Sequence, residues 1–197
     1  MDVRQAAEAA LQDTETLEQL VESLSGASRR KRQRAAATLN VISKSHADVL
    51  VPYGASFIDA LNRPEAQTRW ECLDILTNLV ACDSRTCDKA LLGAEIALFD
   101  EESGSVRLAA LRFLCRLGST TENRSEKTWP LIDEALQCYH GDPEFQDMLV
   151  AVIDYSAGKL SRNVREGLVA RMSFDANSGK GALKRRAQQI VENAQSK

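Results

Sequence analysis

The chain repeats itself with a period of 37 or 38 residues, and this period constrains its fold more than any other feature. The repeat is clearest when counted from five positions, which are Arg32, Arg69, Arg107, Phe145 and Leu183. Apolar or small residues follow the first four positions at offsets of 3, 4, 7 and 10, and the fifth carries a weaker copy. A fixed period of about 20 to 50 residues is typical of proteins built from stacked supersecondary units.

These offsets place side chains on one face of an α-helix, because each turn takes about 3.6 residues. Each unit is therefore predicted to open with a helix that carries a narrow apolar stripe. The stripe residues of the first four units are Ala35, Ala36, Leu39, Ile42, Cys72, Leu73, Leu76, Leu79, Ala110, Leu111, Leu114, Leu117, Met148, Leu149, Val152 and Tyr155. Pairs at offsets 25 and 29 predict a second helix in each unit, and they are Phe57 and Leu61, Ala94 and Leu98, Ile132 and Leu136, and Ala170 and Phe174.

Turn-forming residues separate these units. The repeats and the turns together predict a single all-α domain over residues 1–197. This domain is expected to fold as an α-α superhelix of about five two-helix repeats, of which the first and the last are incomplete. Between the helices of a unit, Asp83 and Ser84, or residues 119–125, are candidate N-caps and connectors, and Asp13 precedes a further helix expected near 13–25. The predicted segments are an N-terminal cap (1–27), four repeats (28–63, 64–101, 102–141 and 142–178) and a C-terminal cap helix (179–197).

Composition supports a globular helical chain. Apolar residues make up 44% and charged residues 27%, while four Pro and ten Gly are too few for an all-β protein. No run approaches the roughly 20 apolar residues that span a bilayer, and the first ten residues lack an apolar signal segment. The five cysteines are not closely paired, which indicates reduced thiols. We therefore expect a cytoplasmic protein without a membrane partner.

The segment SVRLAALRFLCRLG (105–118) resembles the first helix of a HEAT repeat, and segments 68–79 and 31–42 resemble it less closely. The resemblance is also found, more loosely, with armadillo repeats. It implies a superhelix whose second helices line the concave side, and a scaffold or adaptor that binds other macromolecules. It also implies that Arg32, Arg69 and Arg107 bond to an Asp in a neighbouring turn and are structural residues. Phe145 and Leu183 break this series in the C-terminal half.

Residues with catalytic or metal-binding chemistry are sparse. His46 and His140 lie more than two repeats apart, and the pair Cys82 and Cys87 lacks two further ligands at suitable spacing for zinc. No glycine loop has the spacing that binds phosphate or a dinucleotide. We therefore expect no catalytic residue, no metal, no cofactor and no small-molecule substrate.

One class of enzyme is nevertheless an alternative, because some alkylpurine DNA glycosylases are built from HEAT-like repeats. Such an enzyme needs an acidic residue in a groove between aromatic side chains. The candidates in this sequence are Trp70, Trp129, Tyr53 and Asp74.

The candidate binding residues are basic clusters at two predicted helix starts, together with Trp70. These residues are Arg29, Arg30, Lys31, Arg34, Trp70, Lys180, Lys184, Arg185 and Arg186. Basic clusters can neutralise phosphates, so binding of a nucleic-acid backbone is a second alternative. The net charge of −3 disfavours it. We expect a scaffold for an unidentified protein partner, recognisable by an exposed apolar or charged stripe along its second helices.

Overall fold

A computed structural model describes residues 2–196, and all regular secondary structure in that range is helical. The chain forms two compact units, residues 1–110 and residues 111–197. Over the described range, no helix is long and apolar enough to cross a membrane.

The helices of each unit follow the predicted order of first and second helices. Unit 1 contains α1 (Val3–Gln12), α2 (Thr14–Ser23), α3 (Arg29–Ser43), a 3-10 helix (Ala47–Tyr53), α4 (Gly54–Ala60), α5 (Ala66–Cys87), a 3-10 helix (Asp88–Ala90), α6 (Leu91–Leu98) and the start of α7 (Gly104–Gly118). Unit 2 contains the rest of α7, α8 (Glu122–Cys138), α9 (Phe145–Ser156), α10 (Arg162–Ser178) and α11 (Gly181–Gln195). The division into one domain with a cap at 1–27, four repeats and a final cap helix at 179–197 stays a prediction.

Short polar side chains fix where several helices begin. At the start of α2, the carboxylate of Asp13 accepts a hydrogen bond from the Thr16 amide at 3.0 Å. Inside α5, Asp83 leaves the helical region with φ −147° and ψ 74°, and its carboxylate accepts from the Thr86 amide at 3.1 Å. Asp83 therefore ends one helix and caps the next, as the sequence predicts.

The apolar stripe of the first helices forms the core. Every stripe residue predicted in the first four units is buried. In the weaker fifth copy, Ala187 and Ile190 are buried, while Arg186 and Asn193 are half-buried. The period of the sequence thus identified the buried face of α3, α5, α7 and α9 correctly.

The predicted core pair of the fourth unit, Ala170 and Phe174, is wrong. Both side chains are exposed, and α10 buries Val164, Leu168 and Met172 instead. The reason is the length of the connector before the second helix. It spans 119–121 before α8 and 157–161 before α10, which is two residues longer. The two extra residues move the buried positions of α10 from offsets 25 and 29 to offsets 27 and 31, counted from Phe145, where Met172 and Ala176 lie.

Buried ion pairs join successive repeats in unit 1. Arg32 on α3 pairs with Glu65, which precedes α5, and its Nε lies 3.2 Å from Glu65 Oε2. Arg69 on α5 pairs with Asp100 before α7 at 2.7 Å. The hydrogen bond from Arg32 lowers the pKa of Glu65 below its ordinary value. These contacts confirm the structural role expected of Arg32 and Arg69.

Candidate binding surface

The second helices expose residues at one recurrent place in the repeat. On α6, Leu92 is 68% exposed and Ile96 is 63% exposed, although both are large apolar side chains. They lie four residues apart and therefore share one face of the helix. Their neighbours Ala94 and Leu98 are buried at the predicted core offsets 25 and 29. The solvent-exposed face of α6, called its outer face below, is thus apolar, although it contributes nothing to the core.

The same place recurs along unit 1 with a different chemistry. Glu22 on α2, Asp59 on α4 and Ile96 on α6 follow each other at intervals of 37 residues, and all three are exposed. One turn earlier on each helix stand Glu18, Ala55 and Leu92, which are also exposed. The outer face therefore changes from acidic on α2 to apolar on α6.

A groove separates α2 from α4 in unit 1. It has a volume of about 390 Å³ and is lined by Val21, Glu22, Leu24, Ser25, Ala55, Ser56 and Asp59. Val21 and Leu24 are buried and give the groove an apolar floor. Glu22 on α2 and Asp59 on α4 both line the groove, and Asp59 also pairs with Arg63 at 3.1 Å.

In unit 2, Phe174 is 76% exposed on α10. When α10 is aligned with α8 by their buried residues, Phe174 stands at the repeat position of Glu134 on α8. Glu134 in turn stands at the position of Ile96 on α6. Phe174 lines a groove of about 340 Å³ together with Phe145, His140 and Asp175. His140 Nε2 lies 3.2 Å from Asp175 Oδ2, and the rings of His140 and Phe145 are 4.8 Å apart.

A larger groove of about 650 Å³ lies on another side of α10 in unit 2. Its charged lining is balanced, because Arg162 pairs with Glu166 at 2.7 Å and Arg165 donates to the carbonyl of Leu160 at 3.0 Å. Val169 and Ala170 contribute apolar surface between these groups. This groove shows no excess of either charge.

The first basic cluster lies on the first turn of α3. Arg29, Arg30, Lys31 and Arg34 are exposed, and the Ser28 hydroxyl accepts from the Lys31 amide at 3.4 Å. Their positive charges oppose the helix dipole at this end, as the sequence predicts. The cluster is therefore accessible to an anionic partner.

The second basic cluster is partly engaged within unit 2. Lys184 Nζ donates to the carbonyl of Asn177 at 3.1 Å, and Arg186 donates to the side-chain oxygen of Gln146. Lys180 and Arg185 are exposed. Arg186 belongs to the packing of α11, so the accessible charge in this cluster comes mainly from Lys180 and Arg185.

The residues named for the glycosylase alternative lie in different settings. Trp70 and Asp74 are half-buried one turn apart on α5, and Tyr53 ends a 3-10 helix in the same unit. In unit 2, Trp129 is half-buried against Gly167, whose Cα approaches it so closely that a Cβ would lie 2.7 Å from Trp129 Nε1. This contact makes Trp129 a packing residue. The groove beside Phe174 places a carboxylate, Asp175, among aromatic rings that were not predicted for this role.

Among the described residues, no group of three or more His, Cys, Asp or Glu side chains could hold a metal ion. The five cysteines are free thiols. Burial raises the pKa of the Cys72 and Cys115 thiols, which disfavours their reactive thiolate form.

No protein-family model and no curated protein sequence matches the chain. Solved structures of helical repeat proteins do match it. The designed armadillo repeat protein YIII(Dq.V1)4CPAF, in complex with the peptide (KR)4, has a TM-score of 0.79 and 15% identity, covering 98% of this chain and 90% of that one. An engineered protein solved by the Northeast Structural Genomics Consortium has a TM-score of 0.77 and 16% identity, covering 98% and 89%. The designed armadillo repeat protein YIII(Dq)4CqI has a TM-score of 0.72 and 16% identity, covering 98% and 91%.

These likenesses define the class of the fold. The chain has the all-α superhelical repeat fold of the armadillo and HEAT-like type, as the period of its sequence predicts.

Proposed function

We propose that this chain is a non-catalytic scaffold or adaptor, acting in the cytoplasm, which binds a partner protein through the outer faces of its second helices. The observation that carries the proposal is the exposure of Leu92 and Ile96 on α6 and of Phe174 on α10. All three stand at recurrent outer positions of their repeats rather than at scattered surface sites. The free thiols support a reducing compartment.

Large exposed apolar side chains at the centre of a contact commonly dominate the affinity of protein interfaces. A Phe or an adjacent Leu–Ile pair gives such an anchor once a partner excludes water from it. The designed armadillo protein in complex with (KR)4 supports a peptide-binding use of this architecture. Another neighbour is described as designed for modular peptide recognition.

The test is affinity capture from a lysate of the native host, split into nuclease-treated and untreated halves and read by mass spectrometry. Three variants accompany the natural chain, which are L92S/I96S, F174S and the control V150S. Val150 is 44% exposed but lies on the first helix α9. We expect a nuclease-resistant partner that V150S retains and that L92S/I96S or F174S loses. A partner retained equally by all three variants would contradict the proposal.

Binding of a nucleic-acid backbone is the second candidate, and the exposed charges of Arg29, Arg30 and Lys31 on α3 favour it. The direct test is fluorescence anisotropy with a labelled single-stranded RNA and a DNA duplex at several salt concentrations. The variant R29Q/R30Q should weaken salt-sensitive binding, whereas R112Q/R116Q, which removes two exposed arginines from α7, should not. Absence of binding to both probes would exclude this candidate.

A further inference from the structure

We propose that the groove between α2 and α4 binds a lysine or arginine side chain of an extended partner segment, whose next anchor is an apolar residue on the outer face of α6. The inference rests on the proposed function and names the chemistry of the partner. The juxtaposition that carries it is Glu22 and Asp59 across one groove, beside Leu92 and Ile96 in the same unit.

The groove matches both halves of a long basic side chain. Lys and Arg bury their aliphatic stems along apolar surface and keep the charged end near water or a counter-charge. Val21, Leu24 and Ala55 offer the apolar part, and Glu22 and Asp59 offer two carboxylates. A purely apolar side chain would make no ion pair with these carboxylates, and an acidic side chain would be repelled by them.

The surrounding charge favours the same ligand. The N-terminal segment 1–27 holds six acidic residues and one arginine, and three of the acids, Glu15, Glu18 and Glu22, are exposed on α2. One basic group at the groove is Arg63, which pairs with Asp59 along α4, and the first basic cluster begins at Arg29, four residues along the chain from the groove-lining Ser25. Asp59 remains 65% exposed in that pair, so it can accept a second cation. The balanced groove beside α10 lacks this excess of carboxylates.

The neighbouring helix sets the spacing of the ligand. α6 approaches the end of α4 closely, since a Cβ on Gly93 would lie 2.9 Å from Leu61 Cδ1. Packed helices lie about 10 Å apart, and an extended chain advances about 3.3 Å per residue. The apolar anchor on Leu92 and Ile96 is therefore expected about three residues from the basic one.

The test is selection from a phage-displayed library of random peptides on the immobilised full-length chain, followed by anisotropy with the selected peptides. The groove variant is E22Q/D59N, which removes two charges with little change of shape. Its matched control is E101Q/E102Q, which removes two exposed charges from the turn before α7. Circular dichroism of each variant verifies that it remains folded.

We expect enriched peptides with a Lys or Arg spaced from a bulky apolar residue, and binding that E22Q/D59N weakens about tenfold and E101Q/E102Q leaves unchanged. Added salt should weaken the natural chain more than E22Q/D59N. Enriched peptides that need Leu92 and Ile96 but ignore Glu22 and Asp59 would overturn this inference and leave the proposed function standing. Enrichment of no peptide, or of peptides indifferent to both variants and to L92S/I96S, would contradict both.

Discussion

The two compact units bury the same apolar stripe but hold their helices with different polar contacts. In unit 1, Arg32 and Arg69 reach from the start of a first helix to the acidic residue before the next one, in pairs that are largely buried. In unit 2, the corresponding position of α9 is Phe145, and the ion pair between Arg171 and Asp133 joins the second helices. Its two side chains are 33% and 26% exposed. The apolar stripe thus defines the repeat, and its polar contacts are exchangeable.

Unit 2 compensates with a buried hydrogen-bond cluster around Ser125. The backbone carbonyl of Ser125 accepts a hydrogen bond from the Tyr155 hydroxyl at 3.1 Å. The side-chain hydroxyl of Ser125 accepts a hydrogen bond from the Ser161 amide at 3.0 Å. These bonds join α8 to α9 and to the longer connector. Burial raises the pKa of Tyr155, so the phenol stays a donor at physiological pH.

Removing one ion pair from each unit should give the largest difference in melting temperature between variants of unit 1 and unit 2. Arg32→Ala leaves the buried carboxylate of Glu65 without its cation and should lower the melting temperature by about 10 °C. Arg171→Ala removes a half-exposed pair and should lower it by about 3 °C. Calorimetry of both variants checks this. Equal shifts would mean that burial does not separate the two kinds of pair.

Closely approached glycines provide the next comparison. A Cβ on Gly118 would meet the Thr128 hydroxyl and lie 2.8 Å from Tyr155 Cε2, so Gly118→Ala should cost about 2 to 3 kcal/mol. A Cβ on Gly93 would meet the end of the flexible Leu61 side chain, so Gly93→Ala should cost less than about 1 kcal/mol. Urea unfolding of the two variants measures both values. The reverse order would show that α7 can move away from α8.

The pH dependence of stability should be concentrated in unit 1. Because the pKa of Glu65 is lowered in the folded chain, its contribution is complete above its ordinary value of 4.5 and is lost as the pH falls below it. Glu65→Gln should therefore be less stable than the natural chain near pH 6, and the gap should narrow by more than half near pH 3. Thermal unfolding across this range checks the result. A constant gap would place the acid sensitivity elsewhere, for example at Asp100.

The smallest difference between the two units should come from a contact that both units share. Asn78 donates to Ser43 Oγ at 2.9 Å in unit 1, and Asn193 donates to Ser156 Oγ at 3.0 Å in unit 2. Asn78→Ala and Asn193→Ala should each cost about 1 kcal/mol, because each removes one or two partly buried hydrogen bonds. Hydrogen exchange of the α5 and α11 amides measures the local loss. Unequal costs would mean that the terminal helix α11 depends on this contact more than α5 does.

The sequence predicted most of the fold because helix burial follows a regular count. The stripe residues from Ala35 to Tyr155 needed only the 3.6-residue turn and the period of 37 or 38 residues. The same count failed at Ala170 and Phe174, because it assumed connectors of equal length. The connector before α10 contains Gly158 and Ser161, but nothing in the sequence showed that the register of α10 follows the length of this connector.

The binding surface was only partly predictable. The basic residues Arg29 to Lys31 are exposed as expected, since charged side chains at a helix start remain in water. Arg186 instead packs against Gln146, a contact between residues 40 positions apart that sequence spacing alone does not reveal. The outer series Glu22, Asp59 and Ile96 follows the same 37-residue period as the core. A count extended to offset 27 would have located these residues, although their exposure depends on which neighbours cover them.

The connector before α10 shows that the length of a connector and the burial pattern of the helix after it are separate properties of a repeat. The two extra residues lie in the connector, so α10 buries the same helical face as α8 and only its position counted along the chain changes. Connector length and the burial pattern of a helix can therefore change independently. An engineer could lengthen or trim one linker of such an array and still expect each helix to bury the same side chains.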